Sequence, residues 1–169
     1  MESNTIDNII DYEGINALSP LSKVIFMASQ RVYSELGIGH SEAIYQKALM
    51  YELNHCDMSI DIERNIDVVY TDSKGNDRVL GSERIDLFIH NNVLFNEGNV
   101  ILELKATPKC IGDKEIFQLK KYFRQCNKNK IYYSYGIIIN FPQALIKTNF
   151  KDPTIHFMKL KSQQNNSQL

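Results

Sequence analysis

A chain of 169 residues, 43% of them hydrophobic, is long enough to bury the core of one domain, which excludes a disordered tail protein. Nineteen basic against 20 acidic residues leave a formal net charge of −1, so no global positive field drives indiscriminate binding to nucleic acid, and any such partner must be held locally. Cys56, Cys110 and Cys126 form no CxxC pair, no apolar run reaches the roughly 18 residues of a membrane span, and Met1-Glu2-Ser3-Asn4 is no secretory start, so free thiols in a soluble, cytoplasmic protein with no membrane association are expected.

Leu21, Val24, Ile25, Ala28, Val32 and Leu36 keep helical spacing, with Ser19 as N-cap, Pro20 in the first turn and Gly37 as the stop. After the break Gly37-Ile38-Gly39-His40, Ser41 caps a second predicted helix through Ile44, Tyr45, Ala48, Leu49 and Leu53 to about His55. Ile60 to Tyr70 and Val79 to Ile89 then read as strands joined at Asp72-Ser73-Lys74-Gly75-Asn76, and Val100 to Ala106 adds a third, completing an antiparallel meander.

Pro108 and Gly112 precede a third predicted helix carrying Ile116, Leu119, Tyr122 and Phe123. Ile131 to Phe141 holds Gly136-Ile137-Ile138-Ile139, a run suited to a strand buried on both faces, and Ile155 to Leu160 offers an edge strand. The expected order is ααβββαββ, one domain over 1–160 with a disordered polar tail over 161–169. The sequon Asn165-Asn166-Ser167 carries no meaning without a signal peptide.

Strand alternation puts Glu103 and Lys105 on one face, with Leu102 and Leu104 on the other. On the preceding strand it groups Arg84, Asp86 and Phe88 against Ile85, Leu87 and Ile89. Direct pairing of the two strands would let Asp86 and Glu103 share a cation beside Lys105. A Glu-x-Lys triplet is expected about 0.8 times by chance in this composition, and the plain alternative is a solvent-facing cross-strand ion pair worth roughly 0.2 to 1 kcal/mol.

Asp86 followed by Glu103-Leu104-Lys105 on adjacent strands resembles the PD-(D/E)xK nuclease superfamily. Gly39-His40-Ser41-Glu42-Ala43-Ile44-Tyr45 looks like the GxxExxY signature of one branch, and Gln118-Leu119-Lys120-Lys121-Tyr122 like the QxxxY helix motif of RecB-like and Cas4-like members. Gly136-Ile137-Ile138-Ile139-Asn140-Phe141 is similar to that branch's glycine, apolar strand and Asn-Phe ending. The likeness covers roughly residues 20 to 160. This chain departs from the pattern in a longer stretch between Ile89 and Val100, and in Ile85 where a proline commonly precedes the first acid.

The resemblance implies a restriction-endonuclease-like α/β core, a mixed sheet of the meander plus further strands, flanked by helices. It implies Mg²⁺ or Mn²⁺ held by the hard oxygens of Asp86 and Glu103 with Glu42 as a third carboxylate, and Lys105 orienting water or stabilising the developing charge. Gln118 and Tyr122 are expected toward substrate from the third helix, although Tyr122 packing alone is as good a reading; Arg84 either binds a phosphate or neutralises Asp86. The expected function is metal-dependent hydrolysis of nucleic acid, DNA before RNA, with a homodimer as one arrangement suited to cutting both strands. The alternative is a catalytically inactive nuclease-fold protein that binds nucleic acid or a protein partner. Lys120, Lys121, Arg124, Lys128 and Lys130 form a basic stretch that either tracks a nucleic-acid backbone or is a solvated helix face.

Overall fold

Helix α1 covers Pro20–Leu36 and stops at Gly37, whose φ of 69° few side-chain-bearing residues adopt and whose N–H bonds the Tyr33 carbonyl at 2.8 Å. Helix α2 follows over Glu42–Asn54, and Leu21, Ile25, Phe26, Tyr45, Leu49 and Leu53 form the shared apolar face. The computed structural model describes residues 18–90, 94–143 and 155–161.

Strands β1 (Ile60–Thr71) and β2 (Asp77–Ile89) form a long hairpin. Its turn is held by the Asp72 carboxylate, which accepts the N–H groups of Lys74 and Asn76 at 2.9 Å each, while Gly75 supplies a φ of 81°. Strand β3 (Val100–Lys105), helix α3 (Asp113–Lys128), β4 (Tyr135–Asn140) and β5 (His156–Lys161) complete the chain. The sheet order is β1-β2-β3-β4-β5, with β3 and β4 parallel and every other neighbour antiparallel. Parallel strands need a crossover, and α3 provides it.

The element order and the mixed sheet agree with the sequence expectation. The apolar stretch from Ile131 narrows to the strand Tyr135–Asn140, and β5 extends one residue into the segment read as a tail. The remaining tail residues, 162–169, and the first 17 residues of the expected domain lie outside the described residues.

The α1 and α2 residues pack with Leu87, Leu102, Leu104, Ile137 and Ile139 on one face of the sheet. The α3 residues Ile116, Leu119, Tyr122 and Phe123 pack with Ile85, Phe88, Ile101 and Ile138 on the other. This corrects the expected grouping of β2: Ile85 shares a core with Phe88, not with Leu87 and Ile89. Strict alternation is lost where the β1–β2 ladder misses one pair without a change of register. Ile62 pairs with Leu87 and Arg64 with Ile85, but Glu63, at a φ of 50°, makes no pair with Asp86.

Two contacts fix the layers. Gly136 leaves no room for a side chain, since a Cβ there would stand 2.8 Å from Leu119 Cδ1 and from Phe123, so α3 lies directly on β4. Glu97, in the stretch that departs from the family pattern, accepts the Leu21 N–H at 3.0 Å, the Ser19 hydroxyl at 2.8 Å and the Tyr135 hydroxyl at 2.6 Å. It thereby places a carboxylate on the N-terminus of α1 from 76 residues away.

Candidate active site

Where the ladder lacks its Glu63–Asp86 pair, Asp86 turns its side chain toward β3. Its Oδ2 accepts the Leu104 N–H at 2.7 Å, a donor left without a β2 carbonyl beyond the Leu87–Leu102 pair. The main-chain carbonyl of Asp86, equally without a β1 partner, accepts the Gln46 side-chain amide at 2.9 Å. Asp86 is thus fixed through both its carboxylate and its backbone.

Glu103 and Lys105 project from β3 toward α3, as alternation requires. Glu103 is fully buried, with Oε1 paired to the Lys105 ammonium and Oε2 without any hydrogen-bond partner. Burial first, then the Asp86 charge, push the Glu103 carboxyl up to about 7, against the opposing pull of Lys105. The solvent-facing ion pair is therefore excluded for this residue.

Asp86 is raised as well, chiefly by burial, with the Leu104 N–H and the Lys105 charge holding it back. Burial works to lower Lys105, but the hydrogen bond to Glu103 and the charges of Glu103, Glu42 and Asp86 outweigh it and hold the ammonium charged.

Glu42 opens α2 and stands within electrostatic reach of Lys105 and Asp86; burial raises its carboxyl, and Lys105 partly offsets the rise. Tyr45 aims this end of the helix. Its hydroxyl donates to the Gly37 carbonyl at 2.7 Å, and its ring stacks on Phe141 at 4.5 Å and 5°. Among the described residues, no three His, Cys, Asp or Glu side chains are gathered closely enough to hold a metal ion as they stand. Asp86 and Glu103 form the close pair, and Glu42 faces them from the helix.

The three residues expected to meet substrate are engaged with the protein. Gln118 donates to the Tyr122 hydroxyl at 3.0 Å, and Tyr122 donates to the Arg84 carbonyl at 2.8 Å, tying α3 to β2 two residues before Asp86. The Arg84 side chain is exposed and pairs with Glu63 at 3.3 Å. The packing role of Tyr122 is on view, whereas Arg84 touches Asp86 only through its charge.

Gln46 escaped the sequence reading altogether, and Asn140 entered it only as part of the strand-end resemblance. Gln46 lies one turn beyond Glu42, a buried amide on an otherwise apolar stripe, and that position was its only signal. Asn140 closes β4 fully buried, and its amide bonds both the N–H and the carbonyl of Thr107 and the Lys109 carbonyl, pinning the chain as it leaves Lys105. Away from Asp86 and Glu103, α3 presents Phe117, Lys121, Arg124 and Lys128 along one line at helical spacing. Lys121 pairs with Glu83 at 2.8 Å and Lys128 donates to Thr71 at 2.9 Å. From Ile116 to Tyr132 there are five basic residues and no acidic one.

The residues around Asp86 and Glu103 fit a divalent cation. A fully buried carboxylate oxygen with no partner, beside a second carboxylate, is the donor chemistry of Mg²⁺ or Mn²⁺ and not of a softer metal.

A five-stranded mixed sheet between helices, with two acids and a lysine where β2 parts from β3, defines an α/β domain of nuclease type. The chain belongs to the PD-(D/E)XK nuclease superfamily, whose family model matches residues 19–152. Members of that superfamily are generally metal-dependent nucleases. No curated protein matches the chain. No described helix is long and apolar enough to cross a membrane.

Proposed function

We propose that the protein is a divalent-metal-dependent nuclease of the GxxExxY branch, hydrolysing phosphodiester bonds in nucleic acid, with DNA as the first substrate to test. The observation that carries this reading is the Glu103 carboxylate, buried completely with Oε2 unpartnered 17 residues after Asp86 and two before Lys105. Most buried side-chain oxygens have a hydrogen-bond partner; among the described residues the one other exception is Glu83 Oε2, whose sister oxygen pairs with Lys121.

Asp86 and Glu103 would hold Mg²⁺ or Mn²⁺ with Glu42 completing the set, and the bound ion would supply a low-pKa water and neutralise charge on the phosphoryl oxygens. Lys105 keeps its proton and sits where it can orient water or meet an anionic phosphate oxygen. Tyr122 and Asn140 hold the surrounding backbone, and Gln118 braces the Tyr122 hydroxyl. The cationic line on α3 gives a negatively charged strand a local surface despite the neutral total charge.

One observation favours a second reading, a nuclease fold that binds without cutting: the described acids do not form a closed set of three. A cleavage assay on labelled single-stranded and duplex DNA and RNA, with Mg²⁺, Mn²⁺ or chelator, separates the two. Metal-dependent cleavage by the wild type, lost in Lys105→Ala, supports the enzyme. Tight binding in chelator with no cleavage in either metal overturns it in favour of the binding module.

A further inference from the structure

We infer that Gln46 is a positioning residue for Asp86, a clamp that locks α2 to the break in the β1–β2 ladder and so sets where the Asp86 carboxylate points. The inference rests on the nuclease reading for its consequence, but its geometry stands alone. The ladder runs in one register on both sides of the gap, Ile62 with Leu87 and Arg64 with Ile85, yet Glu63 and Asp86 do not pair. A residue without its ladder bonds is held by the sheet less firmly and can pivot there, and the residue on this pivot carries the site's first acid.

Two bonds stop the pivot. Asp86 Oδ2 holds the Leu104 N–H at 2.7 Å, and the Asp86 carbonyl holds the Gln46 Nε2 at 2.9 Å. The first bond belongs to the carboxylate itself and competes with any ligand that takes the carboxylate; the second does not. Gln46 therefore keeps the Asp86 backbone in place when its side chain is called on elsewhere.

Gln46 also couples two acids. It lies four residues beyond Glu42 on α2, and Glu42 feels the charges of Asp86 and Lys105. A clamp from the same helix fixes the separation of Glu42 from Asp86, which an acid set spread over a helix and a strand otherwise lacks. Gln46 is 7% exposed, so its bond is shielded from competing water.

Gln46→Met keeps the side chain's length and removes its amide, the donor to Asp86 included; Gln46→Leu, smaller and more easily accommodated, is the second variant should the first fold poorly. Glu97→Gln, at the far end of the sheet, serves as a control that loosens the fold without touching the pocket. The first readout is the Mn²⁺ concentration needed for a set rise in melting temperature over the same protein in chelator. It should increase at least tenfold in the Gln46 variant and stay put in the control. The second is amide hydrogen exchange without metal, where the Leu104 amide should exchange at least tenfold faster in the Gln46 variant, relative to that of Leu102, and unchanged in the control.

An unchanged Leu104 amide overturns the clamp whatever the metal does. An unchanged Mn²⁺ requirement beside a faster Leu104 amide overturns its role toward the metal. A wild type that ignores Mn²⁺ while its Leu104 amide still depends on Gln46 removes the nuclease reading and leaves the clamp standing.

Discussion

Asp86 accepts the Leu104 N–H on Oδ2 at 2.7 Å, so the fold requires an acceptor oxygen from this side chain and not its charge. Asp86→Asn keeps such an oxygen and Asp86→Ala does not. In chelator, Asp86→Ala should lose about 1 to 3 kcal/mol of stability by orphaning a buried donor, while Asp86→Asn stays within about 0.5 kcal/mol of the wild type. Millimolar Mn²⁺ should raise the wild-type melting temperature by several degrees, since ten times Kd is worth about 1.4 kcal/mol, and should raise neither variant. Equal chelator stabilities for the two variants would show that the Leu104 bond carries no weight.

The Glu103 carboxyl stands at about 7 in the folded protein against an ordinary 4.5, so folding favours its protonated form. Its contribution to stability is complete below about pH 4.5 and is lost as pH rises through 7. Metal-free protein should therefore weaken over that window, by on the order of 3 kcal/mol from this group. Glu103→Gln should flatten the slope and melt above the wild type at pH 8 in chelator. Urea titrations at half-unit pH steps read this directly, and a variant that follows the wild-type slope would remove Glu103 as its source.

Arg124 and Lys128 lie on the outward line of α3, away from the core. Arg124→Glu with Lys128→Glu should weaken nucleic-acid binding in chelator at least about tenfold and flatten the dependence of log K on log salt by roughly 1 to 2. Melting temperature should change little. Binding that keeps its affinity and its salt slope would mark this face as ordinary solvated surface.

Glu97 joins the start of α1 to β4 through the Leu21 N–H and the hydroxyls of Ser19 and Tyr135. Its bonds hold its carboxyl below the usual range although burial pushes the other way. Glu97→Ala should cost about 2 to 4 kcal/mol, the larger share from the Tyr135 hydroxyl, which sits in the core and loses its acceptor. A loss below about 0.5 kcal/mol in thermal or urea unfolding would mean that water replaces the carboxylate without penalty.

Features carried by local chemistry were legible in the residues. Gly37 stops α1, Asp72 and Gly75 shape the hairpin turn, and the apolar run at Gly136 becomes a strand covered on both faces. Glu103 and Lys105 sit as alternation places them. What escaped depends on partners remote in sequence. Glu97 caps a helix 76 residues upstream, a bond with no local signature. The face exchange between Ile85 and Leu87 follows from Glu63 on the neighbouring strand, whose left-handed backbone its residue type does not announce. Gln46 looked like any polar residue on a helix until Asp86 lost its ladder partner.

The stack of Tyr45 on Phe141 links two short signatures that lie 96 positions apart, one ahead of the pocket and one behind it. Flat rings in face contact tolerate exchange of either partner poorly, because a smaller residue on one side leaves a gap that the other cannot close. Across descendants of a common ancestor, the two positions should drift in concert: a lineage that trades the aromatic at one should show a compensating trade at the other. The signatures would then be two halves of one hinge pin, inherited together because neither seats the Glu42 helix without the other.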